Sequence, residues 1–154
     1  MERWQIFHTT TVKTKSGSTY NRHWEISDNG QVRWTYDHTD RIEYKSAALT
    51  GGHEGTRYLA VTINNAPEKY IHRLVALFFV ENPNELEVVN HIDGDKMNNH
   101  YTNLEWCTHK ENNHHGLKLR GEWDEARYLK NQFDNKRREL KRELRQERIK
   151  AHKS

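Results

Sequence analysis

The chain has 154 residues, 33% of them apolar and 31% charged, with a mean hydropathy of -1.17. That composition supports one modest domain with an extension, and no apolar run approaches the roughly 20 residues needed to cross a bilayer, so no membrane partner is expected. Residues 1–11 hold no apolar signal region, which argues against export, and a single cysteine, Cys107, leaves no internal disulfide and suits a reducing, cytoplasmic compartment. The net charge of +3 is unevenly placed: residues 121–154 carry 11 Lys or Arg against 7 Asp or Glu. A basic tail on a near-neutral body points to an anionic partner, most simply nucleic acid; a solvated mixed-charge helix is the plain alternative.

Residues 1–66 read as β-rich. Tyr20–Ser27 alternates around Trp24 and Ile26, Asp28-Asn29-Gly30 is a strong turn signal, and Val32, Trp34 and Tyr36 follow with period two, so a hairpin is expected. Trp24, Trp34 and Tyr36 then share one face, read as a core face, with Arg22 and Arg33 turned outward toward phosphates. A further strand is expected over Arg57–Asn64, bounded by Gly51-Gly52 on one side; the polar stretch 37–56 carries no clear periodicity. Residues 69–80 begin as a strand and turn into a short core helix, with Leu74, Leu77 and Phe78 on its apolar face.

Residues 86–116 carry the chemistry. Leu86–Val89 reads as a short strand running into Asn90-His91, a polar loop follows from Asp93 to His100, and Asn103–Cys107 reads as a second strand. Thr108-x-x-Glu111 is a capping box, so a helix starts there. A histidine at the end of a β-branched strand is well placed to be a fixed general base. A helix packed across the hairpin would bring Asn112, and with it Asn90, toward His91, and amide oxygens suit hard divalent cations. Cys107 with His109 and His114 or His115 could meet a zinc count, but without a second cysteine structural zinc is not expected. Residues 122–152 read as one long helix. Its apolar stripe of Ala126, Leu129, Phe133, Leu140 and Leu144 is broken at Lys136 and Arg137.

The series Ile71-His72-Arg73-Leu74-Val75-Ala76, Val88-Val89-Asn90-His91-Ile92-Asp93-Gly94, Asn98-Asn99, Asn103-Leu104-Glu105-Trp106 and Lys110-Glu111-Asn112 resembles the HNH endonucleases, and more narrowly their phage-type homing and nicking members. Trp24–Arg33 looks like the β module often fused in front of such nucleases. The resemblance implies an α+β fold: a ββα-metal nuclease domain at residues 67–118, a β-rich DNA-recognition module at 1–66 and a basic helix at 119–154. It implies His91 as general base, Asn103 as the clamp that steadies the loop, and Asn112 as a metal ligand. Asn90 stands where the family often has an acidic ligand, so metal affinity in the free protein is expected to be weak; Asp93 is a substitute ligand to consider. One divalent cation, Mg2+ or Mn2+, is implied. The implied substrate is double-stranded DNA of phage or bacterial host cells. Arg22, Arg33, Arg73, His115, Arg137, Arg138 and Arg142 are the expected DNA contacts, with His72 structural or touching phosphate. The C-terminal helix is expected to lie on phosphates through residues from Lys136 to Arg148, or to pair two copies, so both monomer and homodimer stay open. A catalytically silent DNA-binding protein on the same scaffold is the alternative.

Overall fold

The computed structural model describes residues 1–50 and 57–151; the Gly51-Gly52 pair and the Arg148 side chain lie outside the described residues. Contacts group the chain into two units, Met1–Asn113 and His114–Ser154.

The first unit opens with an antiparallel sheet of order β1-β2-β3-β4, made by β1 (Trp4–Lys13), β2 (Thr19–Ser27), β3 (Val32–Tyr36) and β4 (Thr39–Lys45). The expected hairpin is β2–β3, in the register Trp24↔Trp34 and Ile26↔Val32. Its turn is closed by Ser27, whose Oγ donates to Asn29 Oδ1 (2.6 Å) and accepts from the Gln31 amide (3.0 Å). Gly30 there has φ +86°. The outer strands are not legible in the sequence: β1 is a threonine-rich run and β4 lies in the polar stretch 37–56, neither with a sustained apolar alternation. The strand expected over Arg57–Asn64 shrinks to β6 (Leu59–Ala60), paired with β5 (Ala48–Leu49).

Helix α1 (Ile71–Phe79) begins right after a bridge between Ala60 and Tyr70, as the strand-to-helix reading expected. Its buried face includes Leu74 of the expected set but neither Leu77 nor Phe78. Ile71, His72, Leu74, Val75 and Ala76 are buried, while Leu77 and Phe78 are 55% and 42% exposed. The i, i+3, i+4 set that starts at its first residue, Ile71, is buried; Leu77 falls on the far side, and Phe78, in line with Ile71, stands in the last turn of the helix. β7 (Val88–His91) and β8 (Leu104–Cys107) form an antiparallel pair, and α2 (His109–Leu119) follows. One core joins Trp24, Ile26 and Val32 of the sheet to Ile71, Leu74 and Val75 of α1 and to Val89 and Leu104 of the hairpin. The division expected at residue 66 therefore separates segments that bury their apolar side chains together.

The second unit holds the last turns of α2 and the helix α3 (Glu125–Ala151). Two backbone bonds, Gly121 N–H to Lys118 O and Glu122 N–H to Leu117 O, close α2 at a glycine with φ +67°. Asp124 Oδ1 caps α3 by accepting the Arg127 amide, which is why the helix starts three residues later than its composition suggests. Trp123 packs on His114 and Tyr128, at ring-centroid distances of 3.5 and 4.8 Å. Leu129, Phe133, Leu140 and Leu144 are exposed on α3. Among the described residues no helix is long and apolar enough to cross a membrane.

Candidate active site

The loop between β7 and β8 is held by its own polar side chains. Asp93 Oδ1 accepts from the Asp95 amide (2.8 Å) and from Asn103 Nδ2 (2.8 Å), and Asp93 Oδ2 accepts from Asn98 Nδ2 (2.7 Å). Asn103 also donates to Asn98 O and accepts the Asp93 amide through Oδ1. Its backbone carbonyl receives the Ile92 amide (2.9 Å). Asn103 thus sits where a clamp would sit. The Asn98 and Asn103 amides hold the Asp93 carboxyl below the usual carboxylate range. Both of its oxygens accept hydrogen bonds from the loop, so Asp93 staples it.

His91, at the end of β7, is buried, and its Nε2 lies 3.1 Å from Asn99 Oδ1. Asn99 Nδ2 faces two carbonyls, Met97 O and Lys96 O, so its amide oxygen is the atom turned to the ring. An amide oxygen only accepts, so His91 Nε2 carries the proton. A neutral imidazole holds one proton, which leaves Nδ1 with the lone pair. Burial lowers the His91 pKa against the opposing pull of Asn99 and Asp93, favouring this neutral form. His72 of α1 packs 5.2 Å from His91, and Tyr58 stacks over both rings at 4.6 and 6.2 Å. Burial, reinforced by His91 and Arg73, pushes His72 down to about 3, so it too is neutral.

Asn99 is itself fixed from outside the hairpin. A Cβ on Gly30 would stand 2.9 Å from Asn99 Cβ and 3.0 Å from Ile71 Cγ2, so only glycine lets the β2–β3 turn seat here. Beside it, Asp28 pairs with Arg3 (2.9 Å), and its carbonyl accepts the Tyr101 amide (2.8 Å).

Asn90 is buried, and its Nδ2 donates to Glu105 Oε1 at 2.7 Å. The expected capping box forms: the Glu111 amide donates to Thr108 Oγ1, and the Thr108 amide donates to Glu111 Oε2. Asn112 stands on the first turn of α2. It lines a cleft of about 880 Å³ together with His72, Val88, Val89, Trp106 and His109. Neither His91 nor Asn90 is among the residues lining that cleft. The amide oxygens of Asn90 and Asn112 are the donor type that Mg2+ and Mn2+ accept. Among the described residues no group of three or more His, Cys, Asp or Glu could hold a metal ion. A cation held here would rest on amide oxygens, a donor type that suits a weakly held hard ion.

Of the expected DNA contacts, three are already engaged within the fold. Arg22 does not turn outward: it has the same parity as Trp24 on β2, so it lies over Trp24, Trp34 and Tyr36 at about 5.5 Å. Arg33 is on the opposite face, where it donates to Glu25 Oε2 (2.6 Å) and covers the Trp4 ring at 3.9 Å. Arg73 donates to Glu68 Oε2 (2.8 Å) and to Glu87 O. His115 is half-buried on α2, and Arg137, Arg138 and Arg142 are exposed on α3. Asn99, Tyr58, Gly30 and Glu105 were given no part by the sequence reading. Asn99 and Glu105 stood inside the motif series, and that position was the only signal available.

Residues 69–114 match a family model described as HNH endonuclease. A mimivirus protein (Acanthamoeba polyphaga mimivirus) described as an uncharacterized HNH endonuclease is 48% identical over 68 residues, 44% of this chain and 21% of that protein. The DNA endonuclease I-HmuI of Bacillus phage SP01 is 32% identical over 99 residues, 60% of this chain and 51% of that protein. A solved structure of the HNH homing endonuclease I-HmuI aligns at a TM-score of 0.48 and 26% identity, covering 83% of this chain and 64% of that one. The chain spans between about a fifth and about half of the length of the curated relatives it matches. The strand–loop–strand–helix unit of this chain, with the helix that precedes it, is the part that is similar to the HNH endonucleases.

Proposed function

We propose that this chain is a metal-dependent endonuclease that hydrolyses phosphodiester bonds of double-stranded DNA, as a phage homing or nicking enzyme. The observation that carries the reading is the neutral His91 whose proton is fixed on Nε2 by Asn99, leaving Nδ1 as a base. DNA as substrate is supported by the relative named a DNA endonuclease. Residues 1–66 would recognise DNA, 67–118 cut it, and 119–154 add a basic helix. The working place under this reading is the cytoplasm of a bacterial or phage-infected cell.

In the reaction His91 Nδ1 takes a proton from water, and the resulting hydroxide attacks phosphorus in line with the 3′ oxygen. The P–O3′ bond breaks, leaving a 5′ phosphate and a 3′ hydroxyl once that oxygen takes a proton from solvent. Asn103 keeps the loop closed so that His91 does not swing. Asn90 and Asn112 would hold a single divalent cation, which when bound neutralises charge on the phosphate and on the leaving oxygen. One such site cuts one strand.

The test is supercoiled plasmid with Mg2+, with Mn2+ and with EDTA, for wild type and His91→Ala. Nicked circles should appear only with metal, and the substitution should slow nicking by about 10²–10⁴-fold. A second reading, a silent DNA-binding protein, is favoured by the neutral side chain at position 90. It wins if wild type binds duplex DNA yet leaves plasmid and long, varied DNA intact with either metal.

A further inference from the structure

We propose that Glu105 completes the cation site: its carboxylate, held against the Asn90 amide, supplies the negative charge that Asn90 lacks. This rests on the nuclease reading above and deepens it. Affinity for a hard cation rises with the number of charged oxygen ligands, and two amides offer none. Asn90 and Glu105 are register partners across β7 and β8, so their side chains leave the same face of the hairpin. The 2.7 Å contact runs from Asn90 Nδ2 to Glu105 Oε1. An ionised carboxylate only accepts, so chemistry fixes which end of the Asn90 amide faces it, and the amide oxygen must lie on the other branch.

Two further observations bear on the Glu105 carboxylate. It is exposed, yet among the described residues no Lys, Arg or His forms a salt bridge with it, so its charge is not spent inside the fold. Of the two acids that follow His91 in the loop, Asp93 accepts hydrogen bonds at both oxygens and Asp95 accepts the Met97 amide at Oδ1. A carboxylate bonded to a neutral donor residue raises that residue's capacity to hold a cation and orients it. The acidic group that the position before His91 lacks has, on this reading, moved across the ladder to the facing strand.

The experiment titrates Mn2+ into the full chain and follows loss of the free-ion EPR signal. Wild type is compared with Glu105→Gln and with the double variant Glu105→Gln/Asn90→Asp, all checked for native melting. The single variant should weaken Mn2+ binding by about tenfold or more, and the double variant should regain most of the loss. Binding by Glu105→Gln within twofold of wild type overturns the proposal, as does a wild type that takes up no Mn2+ at millimolar concentration. A double variant as weak as the single one also overturns it. The plasmid assay keeps the two readings apart. Metal-dependent nicking with Mn2+ binding unaffected by Glu105→Gln removes Glu105 and leaves the nuclease. Mn2+ binding that depends on Glu105 in a protein that cuts no DNA keeps the site and removes the nuclease.

Discussion

Asn99 decides which nitrogen of His91 can act. Its own amide nitrogen is committed to two loop carbonyls, so it presents oxygen to the ring and nothing else. Asn99→Leu keeps the volume and removes the acceptor. The His91 ring should then populate both tautomers, seen in its ¹⁵N shifts, and nicking should fall by roughly 10–100-fold, the usual cost of losing such an orienting partner. A variant with one tautomer and full activity would show that Asn99 only packs. At this scale the sequence was readable where function follows from a run of neighbours. His91, Asn103 and Asn112 stand out in the sequence because the motif is local. Asn99 was seen as a motif letter without a task, since its task depends on the path of the loop. The Asn90–Glu105 contact depends on strand register, which no spacing along the chain supplies. Arg22 was a readable miss: counting by two from Trp24 puts it over the aromatic face.

Elements were legible in proportion to their apolar contrast. The hairpin β2–β3, the β7–β8 pair and the start of α2 each carried a turn, a β-branched pair or a capping box. β1 and β4 carried polar residues on both faces and took their order from the strands beside them. For α1 the chain gave a helix, but which flank meets the sheet is set by packing. Helix α3 shows the contrast from the other side: its described basic side chains are exposed and its apolar stripe is interrupted. If α3 lies on phosphates, replacing Arg137, Arg138 and Arg142 with Gln should reduce the slope of log affinity against log salt by about three, measured with duplex DNA in EDTA. An unchanged slope, with a dimer mass in light scattering that Leu140→Ser abolishes, would assign the helix to self-association instead.

Stability of the whole fold should carry the mark of His72. Its folded pKa of about 3 lies below the ordinary histidine value near 6.5, in a setting of His91, Arg73, Glu68, Lys96 and Tyr58. Between those values the unfolded chain binds more protons than the folded one, so this contribution is complete above about pH 6.5 and is lost as pH falls toward 3. From pH 7 to 5 the loss is about 2 kcal/mol, and His91, shifted the same way, adds to it. His72→Phe keeps a ring against Tyr58 and gives up no hydrogen bond at Nδ1, which has none. Urea melts at the two pH values should show a flatter dependence for that variant, and an unchanged one would move the effect elsewhere. The seat of Gly30 against Asn99 has a consequence for how such a protein can be rearranged. A histidine whose partner is braced by the turn of another strand pair does not sit on a self-contained cassette. Residues 67–118 expressed without residues 1–66 should leave Asn99 unbraced and the His91 ring free to turn.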